Sequence, residues 1–137
     1  KKIEPKSRIN NIVTIADFQQ TVLALMDVHP CGREQGRDAS VLLTGKNQNW
    51  KDEAFIHHPS FEYAGIFTPQ YELGYVKGSD AVLFDRNKDS LQVNNLFKKA
   101  EYKEVITELT KKIIKHNREI KSPAYKWLKD LDNQNID

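Results

Sequence analysis

Four short extended segments follow one another between Glu53 and Asp85: EAFIHH, FEYAGIFT, YELGYVK and AVLFD. Each is rich in aromatic and β-branched residues, which favour strands. Pro69-Gln70 and Gly78-Ser79-Asp80 supply turn residues between them. Connections this short join antiparallel neighbours, because a parallel pair needs a crossover of about a dozen residues. The stretch therefore predicts a four-stranded antiparallel meander. The rest of the chain must supply what covers it.

Two amphipathic stretches flank the meander. Residues 14–27 predict a helix in which Thr14 is the N-cap and Asp17, three residues on, completes a capping box. Val13 and Phe18 are spaced for a hydrophobic staple across that start. Ile15, Phe18, Val22, Leu25 and Met26 form an apolar stripe that Leu23 widens, and His29-Pro30-Cys31-Gly32 ends the element. Residues 100–117 predict a second helix with Tyr102, Val105, Ile106, Leu109 and Ile113 on one face. Ser122-Pro123 starts a last short helix carrying Tyr125, Trp127 and Leu128.

Between the first helix and the meander lies QGRDASVLLTG, residues 35–45. Its apolar run is too short for an ordinary helix. Asp38 can cap a helix of about two turns or less, and Gly45 can take the left-handed position that closes it. Leu42 and Leu43 are its expected buried anchors, so packing and not propensity would hold it. The order of helix, short helix, meander and helix is α+β, with the later helix free to cover one face of the sheet.

Several separate stretches together resemble one family. IADFQQTVLALMDV is similar to the sulfatase segment V-D-L-x-P-T-L-L-D-L-A-G-I, matching at Asp17, Thr21, Leu23 and Leu25. QGRDASVLLTGK is similar to Q-G-R-S-L-L-P-L-L-x-G, matching at Gln35, Gly36, Arg37, Leu42, Leu43 and Gly45. WKDEAFI resembles W-R-D-x-x-F. LFDRNKDSLQVNNLFKKAEY resembles L-Y-D-L-x-x-D-P-x-E-x-x-N-L-x-x-x-P-E-Y, matching at Leu83, Asp85, Asp89, Asn95, Leu96, Glu101 and Tyr102. Their shared order and spacing cover nearly the whole chain. The chain thus resembles the C-terminal part of an arylsulfatase-type sulfatase of the alkaline phosphatase superfamily. It differs from the pattern at Gln20, Ser90 and Gln92, and in having no arginine between Ala64 and Tyr71.

The resemblance implies an organisation and a chemistry. Residues 1–35 would be the tail end of the catalytic α/β domain, and residues 36–137 the C-terminal subdomain. That subdomain would be a four-stranded antiparallel sheet packed by a C-terminal helix, preceded by a helix belonging to the large α/β domain. The parent would hydrolyse sulfate esters with calcium and a formylglycine made from the cysteine of C-x-P/A-S-R. An oxygen-rich site suits a hard cation, and cations would stabilise charge on the transferring group. In the family these groups lie upstream. Cys31 is followed by Gly-Arg-Glu-Gln and is not the formylglycine precursor. No catalytic residue, metal ligand or cofactor site is therefore expected in this chain. Its expected partner is the N-terminal sulfatase domain.

Other residues invite functional readings. His57 and His58 are adjacent, so on a strand they point to opposite faces and cannot easily ligate one ion. One packed and one exposed histidine is the preferred reading. If either is functional, it would border the parent's cleft and touch a substrate sugar. Arg37 reads as a clamp on carbonyls or a carboxylate. The lysines of 98–129 alternate with glutamates, with Glu108–Lys112 and Lys115–Glu119 at i,i+4 spacing, and read as a solvated face.

Composition bounds the alternatives. The 137 residues carry a formal charge of +2, with 39% hydrophobic and 29% charged residues. That is a globular composition with no bulk attraction for nucleic acid. No apolar run approaches a membrane span. Cys31 is the only cysteine, which excludes an internal disulfide. The chain opens without methionine, as expected for part of a longer protein, and shows no signal peptide. It does not set a compartment, and the resemblance implies a periplasmic or secreted parent. Two alternatives of different kinds remain open: a non-catalytic module for a sulfated glycan or other polyanion, and part of a related phosphate or phosphonate ester hydrolase. The broad stripe of the first helix also predicts self-association through residues 15–26 when the chain is alone.

Overall fold

The computed structural model describes Ile3, Pro5, residues 8–46 and residues 49–131. The chain divides into two compact units, Lys1–Ala54 and Phe55–Asp137.

The first unit is built on helices α1 (Ile15–Leu25) and α2 (Ser40–Leu43). Helix α1 begins at Thr14, whose backbone N–H donates to the Asp17 carboxylate at 2.9 Å, closing the expected box. It ends two residues sooner than the sequence suggests. Asp27 takes a left-handed conformation (φ 59°), and the Val28 N–H returns to the Leu23 carbonyl at 2.9 Å. This is a Schellman closure, and its aspartate is a tolerable substitute for glycine. Helix α2 closes the same way with the residue the sequence offers for it. Gly45 sits at φ 69°, and the Lys46 N–H reaches the Val41 carbonyl at 2.8 Å. Asp38, expected as the cap, lies one residue too early: Ala39 is the N-cap, and the Asp38 carboxylate accepts the Ser40 N–H at 2.8 Å from just outside the helix. Leu42 is buried, whereas Leu43 is only half-buried, so a single leucine anchors this helix.

The second unit contains the meander, apart from its first residue, Ala54. Strands β1 (Ala54–His57), β2 (Tyr63–Phe67), β3 (Tyr71–Val76) and β4 (Val82–Asp85) pair in sequence order. The β2–β3 and β3–β4 ladders are antiparallel, with Ile66 opposite Leu73 and Leu73 opposite Leu83. Period two then places Ala64, Ile66, Leu73, Tyr75 and Leu83 on one face, where all are buried. A 3₁₀ turn (Ala100–Tyr102) leads into α3 (Lys103–Glu119), which lays Ile106, Leu109 and Ile113 into the same core. Helix α4 (Tyr125–Leu128) adds Leu128. Within this layer Tyr75 Oη and Thr110 Oγ1 lie 2.6 Å apart, a hydrogen bond that pairs the two hydroxyls away from water. The fold is thus α+β, a four-stranded antiparallel sheet packed by a C-terminal helix.

The segment after β4 explains a motif that the resemblance carried. Asn95 Oδ1 accepts the Leu83 N–H, and its amide donates to the Ala81 carbonyl. The Leu96 N–H completes the row on the Leu83 carbonyl at 2.8 Å. An otherwise open strand edge is therefore covered by the chain itself. Asp85, almost fully buried, accepts from Gln70, Asn87 and Lys88. Burial alone would raise its pKa. These bonds and the Lys88 charge outweigh that and hold its carboxyl below the usual range. Gln92, in the place of the family's glutamate, donates to the Glu72 carboxylate.

Candidate functional site

The most constrained polar cluster lies in the first unit. Asp17 and Thr21, one turn apart on α1, are its buried side chains. Asp17 Oδ1 accepts the Arg37 backbone N–H at 2.7 Å, and Oδ2 pairs with the Arg37 guanidinium at 3.0 Å. The same guanidinium donates to the Lys51 carbonyl at 2.7 Å and the Ile12 carbonyl at 3.4 Å. It also stacks 4.0 Å above the Trp50 ring, whose N–H donates to that Ile12 carbonyl. Thr21 Oγ1 accepts the Ala39 N–H at 2.9 Å. Burial works to raise the Asp17 pKa. Hydrogen bonds from Arg37 and Thr14, with the Arg37 charge, outweigh it and set the carboxyl below its ordinary value. Arg37 is thus the clamp on a carboxylate and carbonyls that its sequence setting suggests. Its five donors in a fixed fork suit that task.

Gly36 makes the clamp possible. A Cβ there would lie 1.8 Å from the Ala16 carbonyl oxygen. The loop approaches the first turn of α1 so closely that no side chain fits.

Helix α1 turns this polar side inward and leaves part of its apolar stripe in water, while Val22, Leu23 and Leu25 are half-buried. Ile15 is 89% exposed, Phe18 64% and Met26 68%. Of the pair placed for a staple by their spacing, Phe18 stands largely in water and Val13 is 40% exposed. Polar residues win the interior because the Asp17–Arg37 and Thr21–Ala39 bonds leave no buried group unpaired.

The two histidines separate as strand geometry requires. His57 packs beneath α3, its ring 5.6 Å from that of His116, which in turn stacks 3.9 Å from Phe55. Both His57 ring nitrogens are shut off from water without a hydrogen bond. Desolvation lowers its pKa. His58 is exposed, with Nδ1 2.8 Å from Ser60 Oγ. Glu62 lies 3.4 Å from that same hydroxyl, on the serine side of the pair. A nucleophilic triad needs its acid behind the histidine, so this arrangement lacks that logic. Cys31 is exposed in a loop closed on Glu34, which accepts its thiol and backbone N–H and the Gly32 N–H. Among the described residues no three His, Cys, Asp or Glu side chains converge to hold a metal ion. No helix there is long and apolar enough to cross a membrane.

Comparison with known proteins places this geometry. The family model described as N-sulphoglucosamine sulphohydrolase, C-terminal, matches residues 1–119. No curated protein matches. Among solved structures, the chain is similar to BT4656, solved in complex with its substrate D-glucosamine-2-N,6-O-disulfate. The TM-score is 0.69 and the identity 23%, covering 78% of this chain and 24% of that one. It is similar to the putative sulfatase yidJ of Bacteroides fragilis, with TM-score 0.71 and 20% identity over 92% of this chain and 29% of the other. It is also similar to the phosphonate monoester hydrolase of Agrobacterium radiobacter, with TM-score 0.67 and 18% identity over 81% and 26%. These likenesses show a shared fold, and the chain spans roughly a quarter of the length of each of these structures. With the family model covering most of its residues, the chain belongs to the C-terminal family of N-sulphoglucosamine sulphohydrolases, a C-terminal sulfatase part within the alkaline phosphatase superfamily.

Proposed function

We propose that the chain completes a sulfatase that hydrolyses sulfate esters of sugars, and that its own part is structural and substrate-bordering. The observation that carries this is the exposed part of the α1 stripe. Ile15, Phe18 and Met26 are presented in water by a helix whose other side is locked through Asp17 and Arg37. A rigid apolar face of this kind fits a preceding catalytic domain, which would occupy the remaining length of proteins such as BT4656. Calcium and formylglycine would belong to that domain. Among the described residues no three His, Cys, Asp or Glu side chains converge on a calcium site, and Cys31 lacks the residues that follow a formylglycine precursor.

Of the two histidines proposed to touch a substrate sugar, His58 is the one able to do so. Its ring is exposed, while the nitrogens of His57 are sealed. A second reading, phosphonate or phosphate ester hydrolysis, draws support from two phosphonate monoester hydrolases among the structures of this fold.

The test is the whole protein assayed on N-sulfated and O-sulfated glucosamine and on an aryl phosphonate. Preferred turnover of the sulfated sugars supports the proposal, and preferred turnover of the phosphonate supports the second reading. Full activity of a Phe18→Glu variant of the whole protein would refute the docking role of α1.

A further inference from the structure

The β1–β2 turn and α4 enclose a shallow groove of about 320 Å³ in the second unit. That is near the lower end of small-ligand sites, about 300–1,000 Å³, and suits one or two sugar rings. Phe61 and Trp127 line it, with Lys77, Lys126, Glu62 and Asp130.

Two features set this groove apart from an ordinary solvated surface. First, Phe61 stands at φ 59°, a left-handed conformation costly for a bulky residue, and its side chain is still 42% exposed. The conformation is held from both sides. Its N–H donates to the His58 carbonyl at 2.8 Å, and its own carbonyl accepts the Trp127 indole N–H at 2.9 Å. The fold thus fixes two aromatic rings at the groove, Phe61 exposed and Trp127 half-buried with its other side against the core. Second, neither Lys77 nor Lys126 has an ion-pair partner among the described residues, although Glu62 and Asp130 line the same groove.

We propose that this groove binds a sulfated sugar, with the C–H face of the ring against Trp127 and Phe61 and the sulfate between Lys77 and Lys126. The chemistry is complementary at each point. Aromatic faces accept the apolar side of a pyranose. The two ammonium groups supply mobile donors for an anion without demanding the planar geometry of arginine. The carboxylates of Glu62 and Asp130 accept hydroxyl protons, which an inorganic anion does not offer. The choice of sulfate over another anionic group rests on the function proposed above. The groove itself rests on the geometry.

The experiment is an NMR titration of the 137-residue chain with a heparin-derived disaccharide, followed at backbone amides and indole N–H groups. Saturable shifts of the Trp127 indole and of the Ser60, Phe61 and Lys77 amides, with a Kd of about 1 mM or tighter, are expected. The Trp50 indole, held on Ile12, should stay in place. Lys77→Gln with Lys126→Gln should weaken binding by roughly tenfold while leaving the rest of the spectrum unchanged. Absence of shifts, or undiminished binding by the double variant, would overturn the proposal. So would equal shifts with inorganic sulfate alone or with the desulfated disaccharide. If the whole protein fails to hydrolyse sulfate esters while the groove still titrates, the functional reading fails and the groove stands.

Discussion

Gly36→Ala should unfold the first unit far more readily than its size suggests. The new Cβ would sit 1.8 Å from the Ala16 carbonyl oxygen, 2.4 Å from the carbonyl carbon and 2.8 Å from the Asp17 nitrogen. All three are backbone atoms and cannot swing aside. Relief requires the loop to move off α1 by more than about 1 Å. Two short bonds cross that gap: Arg37 N–H to Asp17 Oδ1 at 2.7 Å and Ala39 N–H to Thr21 Oγ1 at 2.9 Å. Such a movement stretches both beyond hydrogen-bonding range and strips a buried carboxylate of a donor. One charge-assisted bond at about 1.5–3 kcal/mol and one neutral bond at about 1 kcal/mol give a loss of roughly 3–4 kcal/mol. A unit of this size would lose more than about 12 °C in Tm. Urea unfolding followed by Trp50 fluorescence, in a Trp127→Phe background, reads this unit alone. Gly45→Ala is the matching control. At φ 69° nothing lies within 4 Å of a Cβ there, so only the conformational cost of about 1–2 kcal/mol applies. Equal losses for the two variants, or a Gly36→Ala loss below about 1 kcal/mol, would refute the close-approach argument.

The remaining expectations are brief. Burial lowers the His57 pKa, so the unfolded chain takes up that proton first; stability should be complete above the unfolded value of about 6.5 and fall as pH drops below it, and urea midpoints for His57→Phe should lose that slope. Leu42→Ala should cost about 2–5 kcal/mol, and an unchanged Tm would remove α2's anchor. The chain alone should not turn over an aryl sulfate with or without calcium, and turnover that survives repurification would contradict this. The chain alone should also self-associate through residues 15–26, and Phe18→Glu with Val22→Lys should give a monomer by light scattering without altering sheet amide protection; a monomeric wild type would refute this.

Elements governed by local chemistry were legible in the sequence. The meander followed from turn residues and β-rich segments, and the α1 start from Thr14 and Asp17. The α2 close followed from Gly45 at the one position where its left-handed φ is needed. Two other helix ends were not legible. Asp27 and Lys121 close α1 and α3 from the same left-handed region, which their side chains do not advertise. The 3₁₀ turn before α3 and the single-leucine anchoring of α2 also escaped, because both depend on packing between distant segments. The groove beside Trp127 had no signal at all. It needs Phe61 and Trp127, 66 positions apart, to meet through one hydrogen bond.

Helix α1 shows what hydrophobic periodicity can and cannot decide. Its stripe marks a face that favours burial, at about 25 cal/mol per Å². It does not say which partner provides the burial. Within the first unit the interior went to Asp17 and Thr21, because their exact match to Arg37 and Ala39 costs no unpaired group and fixes the helix orientation. A purely apolar contact in that place could slide or rotate, whereas a carboxylate gripped by a guanidinium fork and a backbone N–H cannot. The polar side of α1 therefore sets where the helix points, and the apolar side is left free to be covered by something else. The resemblance to sulfatases rests heavily on the residues of that polar side, Asp17, Thr21, Gly36 and Arg37. Together they aim the face through which this chain is proposed to join its catalytic domain.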